Sequence, residues 1–274
     1  MQQMRTLRAI GAALALLAAV PAWAQQAPAP SAPAADSAAE LAKRLANPIA
    51  NLISVPFQSN WDLGIGANNG SRMVLNIQPV VPFRLSDDWN LITRYILPVA
   101  SQFDLTGAST SESGLGDSVV TAFLSPSKGR ITWGVGPAFL VPTATDDALG
   151  SGKLGIGPSV VALRQSGGWT VGGLANHLVS VAGSEDRAKV NATFVNPFLA
   201  YNWRSGAGVT LNVEYTHDWE NDVDVLVVNF PTLTGLTRFG SQTVSFSLSP
   251  RFHFAPETRP DYGVRAAVIL VFPK

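Results

Sequence analysis

Strict alternation of apolar and polar residues constrains the fold of this chain more than any other feature of the sequence. From Val55 almost to the C-terminus, segments such as VTLNVEYT (209–216) and VSFSLS (244–249) alternate residue by residue. Alternation of period two predicts β-strands with one apolar and one polar face. Twelve such segments run near 55–66, 71–85, 89–98, 115–125, 130–141, 153–165, 169–181, 191–203, 208–218, 223–238, 242–254 and 262–273.

The lengths of these segments indicate a membrane rather than a soluble fold. Most have 10 to 13 residues, whereas soluble strands average about five or six and a tilted membrane-spanning strand needs about 9–11. The connections alternate between short turns and longer stretches, of which the longest are 99–114, 142–152, 182–190 and 255–261. The sequence therefore predicts an all-β fold, a closed antiparallel transmembrane β-barrel of about 12 strands, with 10 and 14 left open.

The composition agrees with this class. Charged residues make up 14% of the chain, the formal net charge is zero and the mean hydropathy is +0.18. A balanced and weakly charged surface excludes nucleic acid as a partner. The chain has no cysteine, which excludes disulfides, thiol catalysis and cysteine-ligated zinc.

The N-terminus divides into three parts ahead of the barrel. Residues 1–24 have the basic, apolar and A-x-A regions of a secretory signal peptide, which implies export and cleavage. Residues 25–36 form a disordered Pro/Ala linker. Residues 37–54 hold a short periplasmic helix near 37–47, begun by the capping box of Ser37 and Glu40, and a tether to the barrel at 55–274.

The polar face of the strands supplies the candidate site. In a membrane barrel this face points into the lumen. The alternation predicts that it carries Gln58, Asn60, Asp62, Asn76, Gln78, Arg94, Asn176, Asn196, Asn212, Glu214, Arg251, His253 and Arg265. Two interpretations of the charges stay open: an internal network pairing Arg94, Arg251 and Arg265 with Glu214 and Asp62, or a constriction that selects a substrate.

Several segments in order resemble one bacterial family. They include LANPIANLISVPFQ, LNIQPVVPF, SDDWNLITRYILP, GVGPAFLVPTATDDALGSGKLGIGP and NATFVNPFLAYN. Over roughly residues 41 to 274 the chain resembles the outer-membrane proteins grouped under the meta-pathway of phenol degradation, whose members are often labelled transporter or neuromedin U. The resemblance implies an outer-membrane β-barrel with a transport role, and it carries over no functional residue.

Three functions compete at this stage. The favoured one is a porin-like channel or transporter in the outer membrane of a Gram-negative bacterium, passing small organic solutes, aromatic ones included, through the lumen. The alternatives are a structural or surface-interaction barrel with a blocked lumen, and a lipid-modifying enzyme, for which Ser180 near His177 is the candidate pair. We expect no enzyme, no cofactor and no metal site. The expected partners are outer-membrane lipid, a small-molecule solute and the barrel assembly machinery.

Overall fold

The computed structural model describes residues 32–256 and 259–272. The predicted signal peptide and most of the predicted linker lie outside the described residues. The described chain begins with helix α1 (Ala32–Leu45) and continues as fourteen strand segments. These are β1 (Ile53–Ile65), β2 (Gly70–Ile77), β3 (Val80–Arg84), β4 (Trp89–Phe103), β5 (Ser111–Leu115), β6 (Ser118–Pro126), β7 (Thr132–Val141), β8 (Lys153–Ser166), β9 (Trp169–Gly183), β10 (Asn191–Asn202), β11 (Gly208–Asp218), β12 (Val223–Phe239), β13 (Gln242–Ala255) and β14 (Tyr262–Phe272).

The fourteen segments form twelve barrel strands. β2 and β3 both pair with β4 and are one strand interrupted at Gln78–Pro79, while β5 and β6 also share β4 and are interrupted at Gly116–Asp117. Every neighbouring pair is antiparallel, and β1 pairs with β14. The sheet therefore closes on itself, which leaves no open edge for lipid to meet. The predicted twelve-stranded antiparallel barrel is confirmed.

Burial in this barrel is the reverse of that in a soluble protein. Along β8 the odd residues Lys153, Ser159 and Val161 are buried, while the even residues Leu154 and Val160 are exposed. Among the most exposed side chains of the described strands are Val181, Leu248 and Phe254. An exposed apolar band around an interior that buries polar and charged side chains is the pattern of a barrel that spans a bilayer.

The two ends of the barrel have different connections. At the turn end, consecutive strands are joined by short turns such as 167–168 and 240–241. At the loop end lie the longer connections 104–110, 142–152 and 184–190, the second with a 3-10 turn at Asp147–Leu149. The predicted loop 99–114 is wrong in its bounds, because β4 and β5 continue their pairing through five residues each, from Val99↔Leu115 to Phe103↔Ser111. The backbone hydrogen bonds between β4 and β5 do not depend on whether the side chains are polar. The two strands therefore continue beyond the apolar band.

Helix α1 lies at the turn end. It begins at Ala32, so the predicted first residue Ser37 lies inside the helix, since the preceding Ala-rich stretch favours helix. Within the described residues no helix is long and apolar enough to cross a membrane. From Ala35 onward, helix and strands belong to one compact unit. Gly206, in the turn between β10 and β11, lies beside Ala38 of α1.

Candidate functional site

A buried polar cluster is built around Arg251 on the inner wall. Its Nε donates a hydrogen bond to Asp62 Oδ1 over 3.0 Å, and its Nη1 donates to Asn60 Oδ1 over 3.1 Å and to Asn229 Oδ1 over 3.4 Å. His253 Nε2 lies 3.0 Å from the same Asp62 oxygen. The register of β1, β12, β13 and β14 explains the meeting, since Asn229 and Arg251 pair directly and Asp62 and Arg251 both pair with Gly263.

Arg265 extends this cluster along β14. Its Nε donates to Asn60 Oδ1 over 2.7 Å, and its two terminal nitrogens lie 2.7 Å and 2.9 Å from the two carboxylate oxygens of Glu214. This two-point geometry is the strongest form of an arginine–carboxylate pair. Arg251 Nη1 is a further 3.6 Å from Glu214. Two arginines thus face two carboxylates, and their formal charges cancel.

Arg94 is an inner-wall arginine outside the salt bridges made by these two carboxylates. Its Nη2 donates to Gln78 Oε1 over 2.7 Å. Among the described residues, no carboxylate oxygen lies within 4.0 Å of its guanidinium nitrogens. Of the two interpretations that the sequence leaves open, the internal network therefore has Arg251 and Arg265 in salt bridges with Asp62 and Glu214. Arg94 is instead held by the amide of Gln78.

The strand register places the thirteen predicted site residues on one face of the sheet. Six of them meet in the cluster: Asn60, Asp62, Glu214, Arg251, His253 and Arg265. Asn212 joins it through Asn229, whose Nδ2 donates to Asn212 Oδ1 over 3.3 Å. The others lie apart: Gln78 with Arg94, Gln58 paired with Asn76 across β1 and β2, Asn196 donating to Val213 O, and Asn176 paired with Phe194.

Sequence reasoning missed Asn229, which is fully buried within the cluster. Between Asn229 and Leu233 the pairing of β12 with β13 shifts register. Asn229 and Thr232 are three residues apart, so simple alternation would put their side chains on opposite faces. The irregularity puts both on the inner face of the sheet. Pro231 was the available signal, because proline within a strand marks an edge or a bulge.

A cavity of about 260 Å³ lies between the cluster and the N-terminal segment. Arg94 and Arg265 line one part of it, together with Gln58, Asn196 and Asn212. Further hydroxyl and amide side chains in the lining belong to Asn202, Thr210, Thr232, Thr234, Ser245 and Ser247. The apolar side chains of the lining include those of Ala42, Leu45, Pro48, Leu174, Phe198, Leu236 and Ile269.

Residues 41–52 close the turn end of the interior. Ile49 is 2% exposed and packs in an apolar group on the inner wall formed by Val80, Ile92, Phe123, Val161, Leu163 and Leu174. On the other side Leu52, Leu41 and Leu45 pack with Val271 and Ile269. We call residues 41–52 the stopper. They pair with no strand, because the sheet begins at Ile53.

The structure places the candidate nucleophile Ser180 and the candidate base His177 on opposite faces of the sheet. Along β9 the side chains alternate between faces, so Ser180 points inward and His177 outward. His177 Nδ1 lies 2.8 Å from Thr193 Oγ1, and Ser180 Oγ accepts a hydrogen bond from Val190 N. Within the described part of the chain, no group of three or more His, Asp or Glu side chains is placed to hold a metal ion.

Comparison with known proteins relates the chain to outer-membrane barrels by structure. No protein-family description and no curated protein matches it, so the meta-pathway resemblance stays a prediction. The chain is similar to the crystal structure of an outer membrane channel from Pseudomonas putida, with a TM-score of 0.60 and 14% identity over 81% of this chain and 94% of that one.

Two further similarities are weaker. Outer membrane phospholipase A from Escherichia coli gives a TM-score of 0.45 and 10% identity over 87% of this chain and 98% of that one. The beta domain of the Bordetella autotransporter BrkA gives 0.43 and 12% over 80% and 100%. The similarity to the channel shows that this chain has the fold of an outer-membrane β-barrel.

Proposed function

We propose that the chain is a channel in the outer membrane of a Gram-negative bacterium and that small organic solutes pass through the barrel interior. The observation that carries the proposal is a cavity, lined by arginine and amide side chains, whose closure at the turn end is not part of the sheet.

The width of the barrel supports this function. Side chains alone fill a barrel of about eight strands, and a wider one must hold water, loops or an inserted segment. This barrel has twelve strands and holds the stopper. Displacing the stopper costs apolar contacts, whereas opening the wall would break continuous backbone ladders. The stopper is therefore the element that would move when a solute passes.

Single-channel recording in planar bilayers tests the proposal. We compare the mature chain with a variant lacking residues 25–50, which removes α1 and Ile49 but leaves every strand intact. We expect conductance to rise severalfold in the variant. A matched control lacking only residues 25–31 keeps the whole stopper, so its conductance should equal that of the mature chain.

Absence of conductance in the planar bilayer would contradict the proposed channel function. If neither the mature chain nor the 25–50 deletion conducts, although both keep the heat-resistant electrophoretic mobility of a folded barrel, the structural or surface-interaction alternative is correct. The location in the outer membrane needs a separate test. The mature chain should sediment with outer rather than inner membranes, and its recovery with inner membranes would overturn the proposed location.

A further inference from the structure

The cavity behind the stopper has an unequal charge. Two arginines, Arg94 and Arg265, line it, and no Asp or Glu is among the described residues of the lining. The charge of Arg265 is met by Glu214, which it contacts at two points. Arg94 has the neutral amide of Gln78 as its hydrogen-bond partner. Of the two cations in the described lining, Arg94 is therefore the one held by an amide rather than by a carboxylate.

A buried cation held by no carboxylate is costly unless something compensates for it. Burying a charge without a counter-charge disfavours the folded state, and a bound anion would reduce that cost. Two amide side chains, Gln58 and Asn212, line the same cavity and add polar groups to its wall. This part of the cavity thus has the chemistry of a site for one small anionic group.

Apolar side chains make up another part of the lining, beside hydroxyl groups such as those of Thr210 and Ser245. Leu45 and Pro48 come from the stopper, and Phe198 and Leu174 come from neighbouring strands β10 and β9. A strongly hydrated inorganic ion gains nothing from these apolar side chains, whereas burial of a hydrocarbon group against them is favourable. With about 260 Å³, the cavity is slightly smaller than typical ligand pockets of about 300–1,000 Å³. It suits a short chain or a single ring.

We propose that this cavity binds a small organic monoanion, a carboxylate with an apolar tail, with its head at Arg94 and its tail against Phe198 and Leu174. This inference rests on the proposed function, because it names the class of solute that the channel carries. The stopper supplies part of the apolar wall, so the proposed binding site is complete only while the stopper closes the barrel.

Equilibrium binding tests the inference without any measurement of transport. The mature chain is refolded in detergent micelles and titrated calorimetrically with sodium hexanoate. Hexanamide, which has the same tail and no charge, and acetate, which has the charge and no tail, serve as matched probes. We expect hexanoate to bind at least tenfold more tightly than either, since a charge-assisted hydrogen bond and the tail contribute separately.

Substitution of the arginine supplies the second arm. Arg94→Gln keeps a hydrogen-bonding group but removes the charge, and it should weaken hexanoate binding roughly ten- to a hundredfold. The control Arg164→Gln removes an arginine from the exposed face of β8 and should leave the affinity unchanged. Both variants must keep the heat-resistant mobility of the folded barrel.

Three outcomes overturn the inference: no hexanoate binding, equal binding of hexanoate and hexanamide by the mature chain, or unchanged hexanoate affinity in folded Arg94→Gln. The comparison of probes on the mature chain decides the matter even if Arg94→Gln does not fold. Binding with a silent bilayer would sustain the site and refute the channel. Conductance without selective binding would sustain the channel and refute the site.

Discussion

Arg251 connects more of the inner-wall cluster than any other single side chain described above. Its side chain is 7% exposed and that of Asp62 is 6% exposed, so both are shielded from water. Replacing Arg251 with leucine leaves Asp62 paired with His253 alone and removes one of two cations from Glu214. Breaking one side of a buried pair costs about 3–5 kcal/mol, and we expect the free energy of unfolding in urea to fall by that amount.

A surface pair of the same type provides the comparison. Arg84 and Asp87 also form a salt bridge, but their side chains are 69% and 84% exposed. Such pairs contribute about 0–1 kcal/mol, so Arg84→Leu should have little effect. Equal losses in the two variants would mean that the cluster is as well hydrated as the surface.

Adjacent residues on β11 test which face meets lipid. Leu211 pairs with the exposed Leu199, whereas Thr210 lines the cavity. An arginine on the lipid face near the middle of the bilayer costs about 2–4 kcal/mol, so Leu211→Arg should refold into lipid vesicles poorly. Thr210→Arg should refold with a yield close to that of the unmodified chain. The opposite ranking would place the register of β11 one residue out.

The order of residues along each strand predicted part of the chemistry of the interior. Alternation alone assigned Asn60, Arg251 and Arg265 to one face, because a strand presents every second side chain to the same side. Their mutual bonds join residues about two hundred positions apart, and no local pattern encodes which strands become neighbours at closure. Asn229 was not predicted, because the alternation of inward and outward side chains along β12 shifts at a bulge.

At the scale of elements, the strands were predicted well and their interruptions were not. Ten-residue alternation is a strong signal, but the breaks at Gln78–Pro79 and Gly116–Asp117 depend on pairing across strands. Gly116 N, for example, donates to Pro98 O on β4. Helix α1 was placed near its true end at Leu45, yet its start was set too late, because a capping signal was preferred to the helix propensity of alanine.

The loop at 142–152 is fastened by one carboxylate between β5 and β6. Asp117 accepts hydrogen bonds from Ser151 N and Ser151 Oγ, both over 2.6 Å, and from Ala144 N over 3.2 Å. On the other side Arg187 Nη2 donates to Asp147 O over 2.6 Å. A carboxylate that satisfies backbone donors at both ends of a loop holds the loop in one conformation.

Loss of Asp117 should therefore loosen this loop. We expect Asp117→Ala to speed hydrogen–deuterium exchange at Ala144 and Ser151 by about tenfold or more, since each lost charge-assisted bond is worth about 1.5–3 kcal/mol. Asp186→Ala, which removes an exposed carboxylate from the next loop, is the control and should leave this exchange unchanged. Equal rates in both variants would show that Asp117 does not restrain the loop.

For the whole molecule, the orientation in the membrane follows from the asymmetry of its ends. Outer-membrane barrels have short turns on the periplasmic side and longer loops outside. We therefore predict that the loop end faces the exterior. Single cysteines replacing Ser109 and Ser184, both exposed there, should react with an impermeant maleimide on intact cells, and the native chain has no thiol to interfere.

The control for this experiment lies at the opposite end. A cysteine replacing Ser205, in the turn between β10 and β11, should react only after lysis. Reaction at Ser205 with protection of Ser109 and Ser184 in intact cells would reverse the orientation, and would place α1 outside the cell.

The seam between β1 and β14 fixes the order in which the molecule is completed. It joins the first and last strands through eleven residue pairs, from Ile53↔Phe272 to Leu63↔Tyr262, so the wall becomes circular only after the final strand has been made. The stopper immediately precedes β1, and its Leu41, Leu45 and Leu52 pack with Val271 and Ile269 of β14. The final packing of the stopper therefore depends on the last strand being in place.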